Sequence, residues 1–274
     1  MTHGASPRFL RVVHVDLFIS PEHRELLAAS ELDSFDEAWQ RRAEWFEEPN
    51  VRRGGWSGVC RIVVPRADGS ELGLFLKRQE NHQRRDWRHP VRGEPTFARE
   101  FRMLRYLQDK GVPAPRPVFY GSAVVGGDAR GILMTEELAG YRPLDAVTTE
   151  LFAAGRPPLA AQRALLRAAA DIVRALHAAG VQHSSLYPKH IFVRMREGAD
   201  PDAALIDLEK SRTTLLSKRR MLHDLDALNR HAEHWSRSAR LYFLCRYLGL
   251  ERPTPQVRAL YAELARRARR KHRG

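Results

Sequence analysis

Cysteine is almost missing from this chain: there are two, Cys60 and Cys245, with no paired spacing. That excludes a disulfide framework and a cysteine-built zinc module, and it fits a reducing compartment. Long apolar runs are missing as well. No stretch approaches the roughly 18 consecutive apolar residues a spanning helix needs. The opening MTHGASPRFLRVVHVDLF has no signal-length apolar core and no small-residue cleavage site after one. The expected location is therefore cytoplasmic. Acidic residues are outnumbered, 33 against 46 lysines and arginines, which leaves a formal net charge of +13. Such a balance favours anionic partners (nucleic acid, an acidic membrane surface, a phosphorylated ligand) unless it marks only a solvated surface. No recognition motif, zinc spacing or aromatic–basic repeat accompanies the charge, so nucleic acid is not an expected partner.

What is present describes a soluble globular protein. The chain has 274 residues, 43% hydrophobic and 29% charged, enough for one large domain or two lobes with a sizeable core. Residues 1–50 read as a lead-in: a strand-like opening from Phe9 to Phe18, a short helix, then a helix capped by Asp33 or Ser34. That second helix would carry Phe35, Ala38, Trp39 and Phe46 on one face.

From Arg52 the pattern turns to β. Gly54, Gly55 and Gly58 stand in RRGGWSGV just before the run Val59 to Val64. Ala67-Asp68-Gly69 supplies a hairpin turn, and Leu72 to Lys77 returns as a strand. Glycine lets backbone N–H groups approach phosphate oxygens, although a plain β-turn uses glycine equally well. Alternation places Leu72, Leu74 and Leu76 on one face and Lys77, at the strand's end, on the other. A polar stretch from Lys77 to Glu94 follows. Thr96 then caps a helix with Phe97, Phe101, Leu104 and Leu107 on its apolar face, closed by Gly111 and carrying Glu100. A second hairpin turns about Gly126-Gly127-Asp128, and its return strand runs out through LMTEELAG. Such an exit, at Thr135, Glu136, Glu137 and Leu138, resembles a hinge whose backbone could read an adenine edge.

Beyond residue 138 the spacing is mainly helical, with one exception. Leu165, Leu166, Ala169, Ile172, Val173 and Leu176 share a helix face, and Gly180 ends the helix. His183 to His190 is then a polar loop. Two short apolar runs, Ile191 to Val193 and Ala203 to Ile206, form a hairpin turned by Gly198, Asp200, Pro201 and Asp202. It ends at Asp207. Helices are expected over Met221 to His234, bearing Asp224 and Asp226, and over Ser236 to Leu250. One of the two aspartates is expected to anchor the loop. The last ten residues hold six lysines or arginines and read as a basic tail.

Gly-rich hairpin, strand lysine, helix glutamate, hinge, loop and terminal aspartate stand here in the order of protein-kinase-like folds. Four segments carry a narrower resemblance: RRGGWSGV, GEPTFAREFRML, LHAAGVQHSSLYPKHIFV and LIDLEKSR. Through them the chain resembles the bacterial lipopolysaccharide core sugar kinases, the Kdo/WaaP family in its InaA-like branch, over roughly residues 50–250. The resemblance implies an α+β, bilobal fold: lead-in 1–50, β-rich N-lobe 51–138, helical C-lobe 139–274. It implies ATP- and Mg²⁺-dependent transfer of the γ-phosphoryl group to a heptose or Kdo hydroxyl of the lipopolysaccharide core. The acceptor glycolipid and the anionic inner face of the cytoplasmic membrane would be the partners, the latter through the basic tail.

Carried over by position, Gly54, Gly55 and Gly58 cover the phosphates, Lys77 pairs with them, and Glu100 braces Lys77. Thr135 to Leu138 hold the adenine, His183 belongs to the catalytic loop, and His190 and Asp207 ligate the metal. Two positions depart from the kinase pattern. Ser185 stands where the catalytic aspartate would be, and His190 stands where an asparagine would be. Glu209 takes the glycine place after Asp207, where it would either add a carboxylate to the metal or face solvent. A serine takes no proton at neutral pH, so the alternative is a pseudokinase that binds nucleotide or glycolipid in envelope biogenesis.

Overall fold

A computed structural model describes residues 12–52, 54–84, 94–214 and 218–271. The chain divides into two compact units, residues 1–102 with 116–137, and residues 103–115 with 138–274. Each combines helices and strands, as the expected α+β architecture requires.

The first unit is built on one six-stranded antiparallel sheet. In chain order it holds β1 (Val12–Ile19), α1 (Arg24–Ala29), α2 (Phe35–Gln40), β2 (Trp45–Arg52), β3 (Gly55–Pro65) and β4 (Glu71–Glu80). Then come the short β5 (Gln83–Arg84) and β6 (Glu94–Pro95), the start of α3 (Thr96–Asp109), β7 (Pro117–Val125) and β8 (Asp128–Glu136). The strand order is β1-β7-β8-β4-β3-β2. Period-2 alternation decides which face each residue takes. Cys60, Ile62 and Val64 of β3 lie opposite Leu76, Leu74 and Leu72 of β4 and share the buried face. Leu27, Leu32, Phe35 and Ala38 from the α1–α2 region pack into the same core. Each fully buried leucine there contributes about 1.5–3 kcal/mol. The opposite face meets α3, where Phe101 stacks on Tyr120 with ring centroids 4.6 Å apart.

Several expectations shift here. Among the described residues of the expected lead-in, β1 and β2 are the two edge strands of the sheet. Ser34 does cap α2 through a reciprocal capping box with Glu37, but the helix stops at Gln40 and Phe46 belongs to β2. β4 runs on to Glu80, so Lys77 lies inside the strand and not at its end. Phe9, and residues 85–93 of the polar stretch, lie outside the described residues.

The second unit is helical around one hairpin. It holds β9 (Arg142–Pro143), α4 (Leu144–Ala153), α5 (Leu159–Ala178), β10 (Val181–Gln182), β11 (Ile191–Arg196), β12 (Ala199–Leu205) and β13 (Arg212–Thr213). α6 (Lys218–Arg230), α7 (Arg237–Tyr247) and α8 (Pro255–Lys271) complete it. The α5 stripe predicted from spacing is buried, and α5 packs against α7 and β12. The hairpin turn is tighter than the sequence suggests. Arg196 pairs with Ala199, so Glu197 and Gly198 alone make the turn, with Gly198 at φ +68°. Asp200, Pro201 and Asp202 belong to β12, and Asp202 accepts from Arg194 at 2.7 Å. The expected basic tail is largely α8, whose Val257 and Leu264 are buried; residues 272–274 lie outside the described residues. Among the described residues no helix is long and apolar enough to cross a membrane.

Candidate active site

In the first unit, alternation turns Lys77 away from Leu76 and towards the α3 face. There its Nζ donates to Glu100 Oε1 at 2.6 Å. Glu100 is buried and Lys77 is partly exposed, so the carboxylate needs its lysine while the ammonium keeps access to a ligand. The two residues that the sequence singled out therefore meet.

The three glycines of the hairpin each answer a local demand. Gly54 sits at φ +79° in the turn between β2 and β3, a conformation that glycine adopts without strain. A Cβ on Gly55 would lie 2.3 Å from the Glu80 carbonyl oxygen, and one on Gly58 would lie 2.6 Å from the Trp45 ring. The strand exit is pinned by charge. Glu136 meets His23 Nε2 at 2.9 Å, and Arg61 grips Glu137 through two hydrogen bonds of 3.0 and 2.8 Å. The amides of Glu136 and Glu137 donate to the carbonyls of Arg116 and Gly73, while in the second unit the Leu138 carbonyl accepts from Tyr141. Both glutamate side chains are thus committed to the fold, and Thr135 is buried.

In the second unit the loop after α5 is held from below by Asp224. Its two carboxylate oxygens accept the main-chain N–H groups of His183 at 2.7 Å and Ser184 at 2.9 Å. Ser184 is in the left-handed region at φ +69°, so two successive amides converge on one carboxylate. His177 Nε2 lies 3.3 Å from Asp224, and Tyr247 Oη lies 2.8 Å from His177 Nδ1. Burial alone would raise the Asp224 pKa, but His177 and the two amides outweigh it and hold the carboxyl below its usual range. Asp224 is the anchor, whereas Asp226 pairs with Arg230. His177 and Tyr247 were missed. His177 had a sequence signal, a polar ring inside the apolar stripe of α5; Tyr247 had none.

His183 is fully buried. Its Nε2 donates to the Ile206 carbonyl at 3.0 Å, and its Nδ1 has no partner among the described residues. Burial drives its pKa below the ordinary histidine value, the Asp224 charge opposing, so the ring stays neutral. The structure places this residue of the expected catalytic loop as an enclosed imidazole that braces the loop against the Ile206 carbonyl. Ser185 is also buried, and its carbonyl accepts from the Tyr187 amide at 2.9 Å and from His190 Nδ1 at 2.8 Å.

That second bond sets the His190 tautomer. A carbonyl only accepts, so Nδ1 carries the hydrogen and Nε2 presents its other valence to Asp207 Oδ2, 3.2 Å away. Asp207 takes the left-handed conformation, φ +58°, which aspartate tolerates better than most residues. The Ile206 amide donates to the His190 carbonyl at 3.1 Å and clamps the two ends of the hairpin together. His190 and Asp207, 17 residues apart in the chain, are neighbours. Glu209 instead lies 3.7 Å from Lys210, and no third acid, histidine or cysteine completes a metal cluster among the described residues. Behind the loop, Tyr187 and Lys189 border a cavity of about 550 Å³ walled by α4–α8 side chains such as Leu166, Leu225 and Leu244.

The family model described as "Lipopolysaccharide kinase (Kdo/WaaP) family" matches residues 36–247. Protein InaA of Escherichia coli (strain K12) is 31% identical over 208 residues, 76% of this chain and 92% of that protein. The solved structure of WaaP in complex with acyl carrier protein superposes with a TM-score of 0.66 at 25% identity. It covers 95% of this chain and 99% of that one.

Proposed function

The chain belongs to the lipopolysaccharide kinase (Kdo/WaaP) family, and we propose that it transfers the γ-phosphoryl group of ATP to a heptose or Kdo hydroxyl of the lipopolysaccharide inner core. The observation that carries this reading is the Lys77–Glu100 ion pair, assembled from a strand and a helix 23 residues apart. Phosphoryl transfer asks a protein mainly for positioning and for neutralisation of charge on the equatorial oxygens. Lys77 offers one cation for the α- and β-phosphates, and Glu100 fixes its direction. The main chain around Gly54, Gly55 and Gly58 covers the phosphates, and that of Thr135 to Leu138 meets the adenine.

His190 and Asp207 fit a divalent ion. The ring's other nitrogen donates to a backbone carbonyl, the usual outer-shell arrangement of a ligating histidine. A cation bound there would neutralise phosphate charge. Ser185 supplies no base, since its hydroxyl stays protonated at neutral pH and its carbonyl is spent on shaping the loop. Loss of general-base help costs such a reaction less than loss of charge neutralisation. The acceptor lies on an anionic membrane surface, where each nearby cation of a +13 chain adds on the order of 1 kcal/mol. Arg269 and Arg270 of α8 suit a peripheral place at the cytoplasmic face.

Ser185 also favours a second reading, a pseudokinase that binds nucleotide or glycolipid without turnover. The deciding experiment is phosphate transfer from labelled ATP to dephosphorylated core lipopolysaccharide, wild type beside Asp207→Ala. Transfer by wild type alone supports the kinase. Cation-dependent ATP binding without transfer supports the pseudokinase, and neither activity defeats both.

A further inference from the structure

Tyr247, the last residue of α7, reaches the loop through two buried side chains, His177 and Asp224. Asp224 Oδ2 accepts the His183 amide and faces His177 Nε2 at 3.3 Å. A carboxyl held below its usual range is ionised and only accepts, so Nε2 carries the ring hydrogen. In the neutral ring Nδ1 is then an acceptor, and Tyr247 Oη, 2.8 Å away, is the donor that fits it. Among the described residues Tyr247 is the one partner of that nitrogen. Burial pushes the tyrosine pKa well above its ordinary value, with the Asp224 charge adding to it, so the hydroxyl keeps its hydrogen. The two rings meet edge-on at 5.6 Å where α5 packs along α7.

We propose that Tyr247 is a positioning residue for phosphoryl transfer: its hydroxyl holds His177 in the Nε2–H tautomer and so fixes how Asp224 presents the loop. This role rests on the kinase reading. Without the hydroxyl, a buried ring nitrogen loses its partner, and nothing else holds the tautomer or the plane of the imidazole. The Nε2 hydrogen is then no longer directed at Asp224, and the carboxylate is left to the two loop amides. Those amides belong to His183 and Ser184, and the carbonyl of the next residue, Ser185, holds the His190 ring. The place of the loop is therefore set from α7. Phosphoryl transfer depends mainly on positioning, and a misplacement of about 1 Å can cost such a reaction about a hundredfold.

The test compares the full-length wild type with Tyr247→Phe, which keeps the ring and its packing and removes only the oxygen. Histidine ring nitrogens are labelled with ¹⁵N, and His177→Gln identifies the signals of His177. The wild type should show Nε2 protonated and Nδ1 as acceptor. In Tyr247→Phe that pattern should be lost, and the His183 and Ser184 amides should exchange about tenfold faster. kcat should fall about tenfold to a hundredfold. KM for ATP should stay within about threefold, because Lys77 and the glycines of the first unit are untouched. In the His177→Gln background the same change should cost little further, since glutamine has no tautomer to hold. A lowered Tm with loop exchange and kcat per folded molecule as in wild type would overturn the proposal. So would a wild-type His177 protonated on both nitrogens or on Nδ1 alone, which decides the point even if Tyr247→Phe fails to fold. Equal transfer by the two proteins would sink this inference while sparing the kinase. Absence of transfer in the wild type, with the tautomer and exchange changes as expected, would do the reverse.

Discussion

Lys77 Nζ and Glu100 Oε1 lie 2.6 Å apart although 23 residues separate them. β-Alternation turns the lysine to the α3 face, and the burial of Phe97 and Leu104 sets the rotation of α3 that brings the glutamate to it. Neither side chain needs the other to form its own element. Their meeting is a property of the packed unit.

Removing the lysine should therefore cost stability as well as binding. Lys77→Met leaves a buried carboxylate without its cation, an expected loss on the order of 3 kcal/mol by urea unfolding. Adding Glu100→Gln should restore part of it. ATP affinity should fall about tenfold or more in both proteins, since a charged hydrogen bond to phosphate is worth about 1.5–3 kcal/mol. Unchanged affinity in Lys77→Met would remove the lysine from the nucleotide site.

Asp224 predicts a pH dependence. Its carboxyl titrates below its ordinary value, so it contributes stability that is present above the unfolded value of about 3.9 and lost as pH falls through the folded value. Asp224→Asn turns an amide N–H₂ towards a main-chain donor and should cost about 2–3 kcal/mol at pH 7. Its unfolding free energy should also fall less steeply between pH 5 and 3, within the range where paired aspartates titrate, roughly pH 5 to 1. Parallel wild-type and variant curves would contradict the anchor.

The glycines of the hairpin should separate cleanly. Gly55→Ala drives a methyl against the Glu80 carbonyl and the Asn81 backbone, where nothing flexible yields. The expected loss is about 2–3 kcal/mol. Gly54→Ala meets no atom and pays only for its left-handed conformation, about 1–2 kcal/mol. Equal losses in thermal unfolding would refute the packing account of Gly55.

Ser185→Ala should leave phosphate transfer within about threefold of wild type, because the residue acts through its carbonyl. Loss of a true general base costs 10²–10⁴. A fall of that size would give the hydroxyl a catalytic part.

Much of this was legible in the sequence. Period-2 runs located β3 and β4 and the face of Lys77, and helical spacing located α3 and α5. What escaped was tertiary. Asp202 looked like turn chemistry but extends β12, because Arg194 faces it across the ladder. The arginines near the C-terminus looked like a tail, yet Val257 and Leu264 give α8 a buried side. Tyr247 could not be tied to the loop at all: its link runs through His177 and Asp224, residues 70 and 23 positions away.

β1 has a practical consequence. It hydrogen-bonds along β7, and Leu27 and Leu32 fill the core beneath, yet all three precede residue 36, where the family match begins. A recombinant fragment trimmed to the homologous span would bare the β7 edge and an apolar sheet face together. Such a surface invites intermolecular strand pairing. Trimming by homology would thus favour aggregation over folding.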